Sequence, residues 1–141
     1  MSELLKLNYQ IDGDNFSSAG EASANVKKKL RQLGLDNEII RRVAIAMYEG
    51  EINMVIHADG GTAEVTVSPE KIEILLCDSG PGIENVELAM QEGYSTAPDN
   101  VHALGFGAGM GLPNMKKYTD EMKIESTVGV GTKVYMAVNI K

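Results

Sequence analysis

Residues 37–78 read NEIIRRVAIAMYEGEINMVIHADGGTAEVTVSPEKIEILLCD, and the order of patterns along this stretch decides the fold class. From about Asn37 to Ala58, apolar residues fall at Ile39, Ile40, Val43, Ala44, Met47, Ile52, Val55 and Ile56. That recurrence covers more than a narrow stripe, so it predicts a long, substantially buried helix. Gly50 inside it costs about 1 kcal/mol relative to alanine, which close packing or a bound group would explain. Asp59-Gly60-Gly61 ends the helix. Two strands follow, about Ala63–Ser68 and Lys71–Cys77, joined by a tight Pro69-Glu70 turn. Strands this close in sequence pair antiparallel, because a parallel pair needs a long crossover.

Upstream, Leu5, Leu7, Tyr9 and Ile11 alternate as an opening strand, and Asp12-Gly13-Asp14 turns the chain. A first helix is expected from about Ser18 to Leu33, apolar at Ala22, Val26, Leu30 and Leu33; Gly34 closes it and Asp36 can cap the next. Downstream come DSGPGI (78–83), a short helix near Val86–Gln91 and an irregular segment from Glu92 to Gly105. A helix over about Leu112–Thr119 follows, then strands near Met122–Ser126 and Lys133–Ile140 separated by VGVGT. Neighbouring strands without helical crossovers predict an α+β, two-layer sandwich: a mostly antiparallel sheet with helices on one face. At 141 residues, with no repeat or linker, the chain reads as one domain.

The formal net charge is −7 and the pI about 4.8, which argues against direct binding of nucleic acid. The basic run Lys27-Lys28-Lys29-Leu30-Arg31 reads as a solvated helix face. Cys77, the sole cysteine, ends an apolar strand and is expected to be buried and inert, in a reducing compartment. No signal-peptide core and no membrane-length apolar run is present, so a soluble, cytoplasmic protein without membrane contact is expected.

Three segments can carry chemistry. Glu49, Asn53 and His57 recur at i, i+4 and i+8, successive positions about 6 Å apart along the helix axis. This polar row either faces solvent or lines a site, where a carboxamide oxygen beside a carboxylate suits Mg²⁺ chemistry. Asp78 ends a strand and can accept a hydrogen bond from a buried amine; Gly80 and Gly82 behind it permit close approach, or the segment is an ordinary turn. In GFGAGMGLPNM (105–115), alternate glycines expose several N–H groups ahead of a helix start, a backbone suited to a polyphosphate. The stretch fits neither the dinucleotide fingerprint nor a P-loop, having no Gly-Lys pair.

Together these segments resemble the GHKL nucleotide-binding superfamily of gyrase, MutL, the ninety-kilodalton chaperone and sensor histidine kinases. Glu49-x-x-x-Asn53 with His57-Ala58 is similar to its N box. Asp78-Ser79-Gly80-Pro81-Gly82 resembles the D-x-G-x-G box, Gly105–Gly111 the second glycine box, and Gly129-x-Gly131-Thr132 the terminal G-x-G-T. The four boxes stand in the family's order. The small size and the glutamate four residues before Asn53 resemble the anti-sigma-factor serine kinases in particular.

The resemblance implies ATP and Mg²⁺ as ligands. Asp78 would receive the adenine amine with Thr132 in support, and Gly80 and Gly82 would shape that end. Asn53 would bind Mg²⁺, and Gly105, Gly107, Gly109 and Gly111 would hold phosphate oxygens through backbone N–H groups. Glu49 would be the catalytic base toward an attacking hydroxyl. Residues 92–104, EGYSTAPDNVHAL, would form the ATP lid, here without Lys or Arg. The implied partners are a STAS-domain anti-anti-sigma protein and a sigma factor, and relatives of this size often pair through their sheets as homodimers. A non-catalytic ATP-dependent binding module and a simple ATPase are the alternatives.

Overall fold

The computed structural model describes residues 5–12, 20–57, 60–80 and 111–140. Five strands form one sheet: β1 (Leu5–Asp12), β2 (Gly60–Val67), β3 (Lys71–Asp78), β4 (Glu121–Thr127) and β5 (Gly131–Asn139). Three helices are described: α1 (Glu21–Gln32), α2 (Asn37–His57) and α3 (Gly111–Lys117). The strand order is β1-β2-β3-β5-β4, and each neighbouring pair is antiparallel. This is the expected α+β sandwich, with the helices on one face. The short helix anticipated at Val86–Gln91 lies outside the described residues.

Alternation explains the layering. Ala63, Val65 and Val67 on β2, Ile72, Ile74 and Leu76 on β3, and Val134, Met136 and Val138 on β5 are buried beneath the helices. Their odd or even neighbours point to the other face, as strand geometry requires. Cys77 is among these outward residues and only half-buried, which corrects the expectation of a buried thiol. There, too, the Tyr135 hydroxyl donates to Glu73 Oε2 at 2.7 Å. Asp59-Gly60-Gly61 is expected to end the helix, and α2 does stop before it, at His57. Gly60 and Gly61 also open β2, earlier than the expected start near Ala63, paired in register with Asp12 and Ile11.

Helix α1 buries Ala22, Ser23, Val26 and Leu30 and stops in a Schellman arrangement at Gly34. There the Gly34 N–H donates to Arg31 O at 3.0 Å and Leu35 N–H to Leu30 O at 3.4 Å. Its start is satisfied from another helix. Glu51 of α2, only 3% exposed, accepts from the Gly20, Ala22 and Ser23 N–H groups at 2.9, 3.2 and 3.1 Å. The carboxylate does the work of a side-chain cap and meets the positive end of the helix dipole. At the other end of α2, Arg42 donates to Tyr118 O (3.2 Å) and Asp120 Oδ1 (3.4 Å), tying the helix to the α3–β4 connection.

The centre of α2 lies on β3 because of Gly50. A β-carbon there would overlap Leu76 Cδ1 and sit 3.4 Å from Met115 Sδ. The interior glycine thus trades about 1 kcal/mol of helix propensity for close packing.

Replacing Glu51 by alanine strands three backbone donors at a buried helix start. Urea unfolding is expected to show a loss of about 2–4 kcal/mol, with the slope unchanged.

Candidate functional site

Three strands carry their alternation to the same end of the sheet and there change from apolar to polar. On the helix-facing side, β3 runs Ile72, Ile74, Leu76 and then Asp78; β5 runs Val138, Met136, Val134 and then Thr132; β4 runs Met122, Ile124 and then Ser126. In register, Asp78 faces Thr132, and Thr132 faces Ser126. The sheet therefore ends in one cross-strand polar row beside an apolar floor.

The Asp78 carboxylate is fixed by the backbone around it. Its Oδ1 accepts from Gly80 N–H at 3.0 Å and from Thr132 N–H at 3.2 Å. Among the described residues no group pairs with Oδ2. Thr132 is 8% exposed, and its Oγ1 lies 2.8 Å from Ser126 Oγ. Gly131 makes this crossing possible. Its φ of 148° is one that side-chain-bearing residues rarely adopt. A β-carbon there would also overlap the Asp78 carbonyl oxygen and lie 2.9 Å from Ser79 Cα.

Glu49 and Asn53 lie one turn apart on α2, both half-buried. Glu49 immediately precedes Gly50, the contact point with Leu76, and Leu76 is two residues before Asp78 on the same face. Burial pushes the Glu49 carboxyl above its ordinary value, and the Asn114 carboxamide, reaching it from α3, pulls in the opposite direction. His57 ends α2, with its side chain outside the described residues. Gly80 belongs to the Asp78 turn, and Gly111 opens α3. Gly82, Gly105, Gly107, Gly109 and the 92–104 segment lie outside the described residues.

This donor set has a definite chemistry. Asp78 offers acceptors only, which suits an N–H-bearing group over an apolar surface. No cluster of three or more His, Cys, Asp or Glu that could hold a metal occurs among the described residues. A hard cation here would depend on Asn53 together with oxygens of an anionic ligand, the usual manner of Mg²⁺ at phosphates. Ser126 and Asn114 lie outside the four sequence boxes. The inward alternation of Met122, Ile124 and Ser126 was a signal for the first; Asn114 is disclosed only by the packing of α3 on α2.

The chain belongs to the histidine kinase-like ATPase domain family, whose model matches residues 16–138. Within that class it is similar to proteins named anti-sigma F factor. The one from Thermoanaerobacter sp. (strain X514) is 32% identical over 140 residues, spanning 96% of this chain and 92% of the relative. The serine/threonine-protein kinase RsbT of Bacillus subtilis is 28% identical over 121 residues, 83% of each chain. Among solved structures, the RsbU and RsbW domains of a Mycobacterium tuberculosis protein superpose with a TM-score of 0.64 at 16% identity. That match covers 95% of this chain and 31% of the other, and it supports the fold alone. None of the described helices is long and apolar enough to cross a membrane.

Gly131→Ala is expected to lower stability by about 3 kcal/mol in thermal or denaturant unfolding, from positive-φ strain and the clash with the Asp78 backbone.

Proposed function

We propose that the chain is a cytoplasmic ATP-dependent protein serine/threonine kinase of the anti-sigma type. Its substrate would be a serine of a STAS-domain anti-anti-sigma partner, with a sigma factor released or captured as the partner switches. The observation that carries this reading is the Asp78 carboxylate. It is locked by two backbone N–H bonds at the end of an apolar floor, in a chain of this ATPase family that aligns over most of its residues with a relative named anti-sigma F factor.

In this reading the adenine amine donates to Asp78, with Thr132 beside it. Gly80 and Gly82 would let the backbone approach the base, and Gly105, Gly107, Gly109 and Gly111 would offer N–H groups to the phosphate oxygens. Asn53 would hold Mg²⁺, which neutralises phosphate charge when bound. Glu49 accepts the proton of the substrate serine hydroxyl. The serine oxygen bonds to the terminal phosphorus as the bond to the bridging oxygen breaks, and ADP departs with that electron pair. A half-buried carboxylate with a raised pKa is a stronger base than an exposed one, provided it is ionised at the working pH.

Radiolabelled ATP, offered with Mg²⁺ and a STAS-domain protein, tests the assignment. Wild type should label the partner, and Glu49→Gln should bind ATP normally while transfer falls by about 10²-fold or more. Unchanged transfer in that variant removes Glu49 from its role. Nucleotide-dependent partner capture without label would instead make the chain a non-catalytic binding module. Asp78→Asn keeps the acceptor for both backbone N–H groups but turns a donor toward the base, so ATP affinity should drop by roughly tenfold or more.

The pH dependence follows from burial. Glu49 titrates above the ordinary carboxylate value, so transfer should fall with acidification at a higher pH than an exposed glutamate would give. For stability the sign is opposite. A carboxyl whose folded pKa is raised contributes most below its unfolded pKa and loses that contribution as pH rises through the folded value. Glu49→Gln should therefore melt no lower than wild type at pH 8, with the difference shrinking toward acid.

A further inference from the structure

We propose that Asn114 is a positioning residue for phosphoryl transfer: from α3, its carboxamide holds the Glu49 carboxylate of α2 in the orientation that meets the substrate hydroxyl. The inference rests on the kinase reading above and deepens it.

The pair is set by the way α3 lies along α2. Arg42 and Glu49 stand seven residues apart on α2, about two turns along one face. Asn114 lies on α3, and Tyr118 follows the helix four residues later. At one end, Arg42 Nε donates to the Tyr118 carbonyl at 3.2 Å, while the Tyr118 N–H donates to Asn114 O at 3.1 Å. At the other end the Asn114 carboxamide hydrogen-bonds the Glu49 carboxylate. These two contacts align the helices antiparallel. Beside the second, Met115 is 1% exposed, and its Sδ lies 3.4 Å from where a β-carbon on Gly50 would stand. Core packing and polar contacts thus agree on where the Asn114 side chain starts.

The chemistry of the pair fixes its direction. An ionised carboxylate can only accept, so the amide offers its NH₂ end to Glu49. The second carboxylate oxygen stays open to a hydroxyl. Three rotatable bonds separate the Glu49 backbone from its carboxylate, and a half-buried side chain of that length samples several rotamers unless something holds it. A base works only within hydrogen-bond reach of the proton it takes, and an ångström of misplacement costs about 10²-fold in rate. The role assigned to Asn114 needs no contact with nucleotide or substrate. It acts through Glu49.

Steady-state transfer of radiolabel from ATP to a STAS-domain protein, with calorimetry of ATP binding, tests this on wild type, Asn114→Ala and Asn114→Asp. An ionised aspartate keeps the shape of the side chain but brings no N–H donor to Glu49. Both variants should lower kcat by about tenfold or more, the worth of one hydrogen bond to a charged group, with ATP affinity and KM for ATP unchanged. In a Glu49→Gln background, Asn114→Ala should lower kcat no further, because its effect passes through that carboxylate. If Asn114→Ala leaves kcat at the wild-type level, weakens ATP binding instead, or slows transfer equally in both backgrounds, the proposal is overturned while the kinase reading stands. Variants that no longer unfold cooperatively assign Asn114 to structure and overturn it too. A wild-type chain that labels no STAS-domain protein overturns the kinase reading and the proposal with it.

Discussion

The seating of α2 on β3 at Gly50 is the contact on which the rest of the molecule depends. With no β-carbon at that position, Leu76 presses against the helix backbone and Met115 closes in from α3. The site follows from this geometry. Asp78 lies about 7 Å further along the strand from Leu76, while Glu49 and Asn53 flank the contact on the helix. A larger residue would have to lift α2 away from the strand that ends in Asp78. A helix propensity cost of about 1 kcal/mol is small beside that constraint.

The sheet contributes a different kind of precision. Asp78, Thr132 and Ser126 share a row because antiparallel register aligns them, and register cannot slip by one residue without turning every buried side chain outward. The rows Ile72–Leu76 and Val134–Val138 therefore hold the polar groups in place as firmly as they hold the core. Gly131 adds the close backbone crossing that lets the Thr132 N–H reach Asp78. In this sense the polar end of the sheet is an extension of the hydrophobic core.

Much of this was legible in the sequence, and the exceptions have physical causes. The long helix, the tight Pro69-Glu70 hairpin and the closing role of Gly34 follow from periodicity and turn chemistry, which are local properties. Two glycines after a helix read as a stop signal, and pairing with Ile11 and Asp12, which is long-range, recruits them into β2 as well. Cys77 ends an apolar run, a pattern that implies burial, but alternation places it on the open face. Asp78 and Thr132 could be named from their boxes. Ser126 required the β4–β5 register, and Asn114 required the α2–α3 packing, both long-range facts.

Glu49 and Glu51 show how far environment, and not residue type, divides structure from chemistry. Two positions apart on α2, they point to different sides of the helix. Glu51 turns toward α1, where three backbone N–H groups surround its carboxylate at 2.9–3.2 Å. A carboxylate so committed is unavailable to a substrate proton, and its removal is felt as lost stability. Glu49 is half-buried, with the Asn114 carboxamide as its counterweight to desolvation. Its raised proton affinity is a cost to the fold at neutral pH and an asset to a base. Environments that separate two like groups in this way are how one scaffold assigns them different tasks. On that argument the kinase reading stands or falls at Glu49, while the family fold would survive without it.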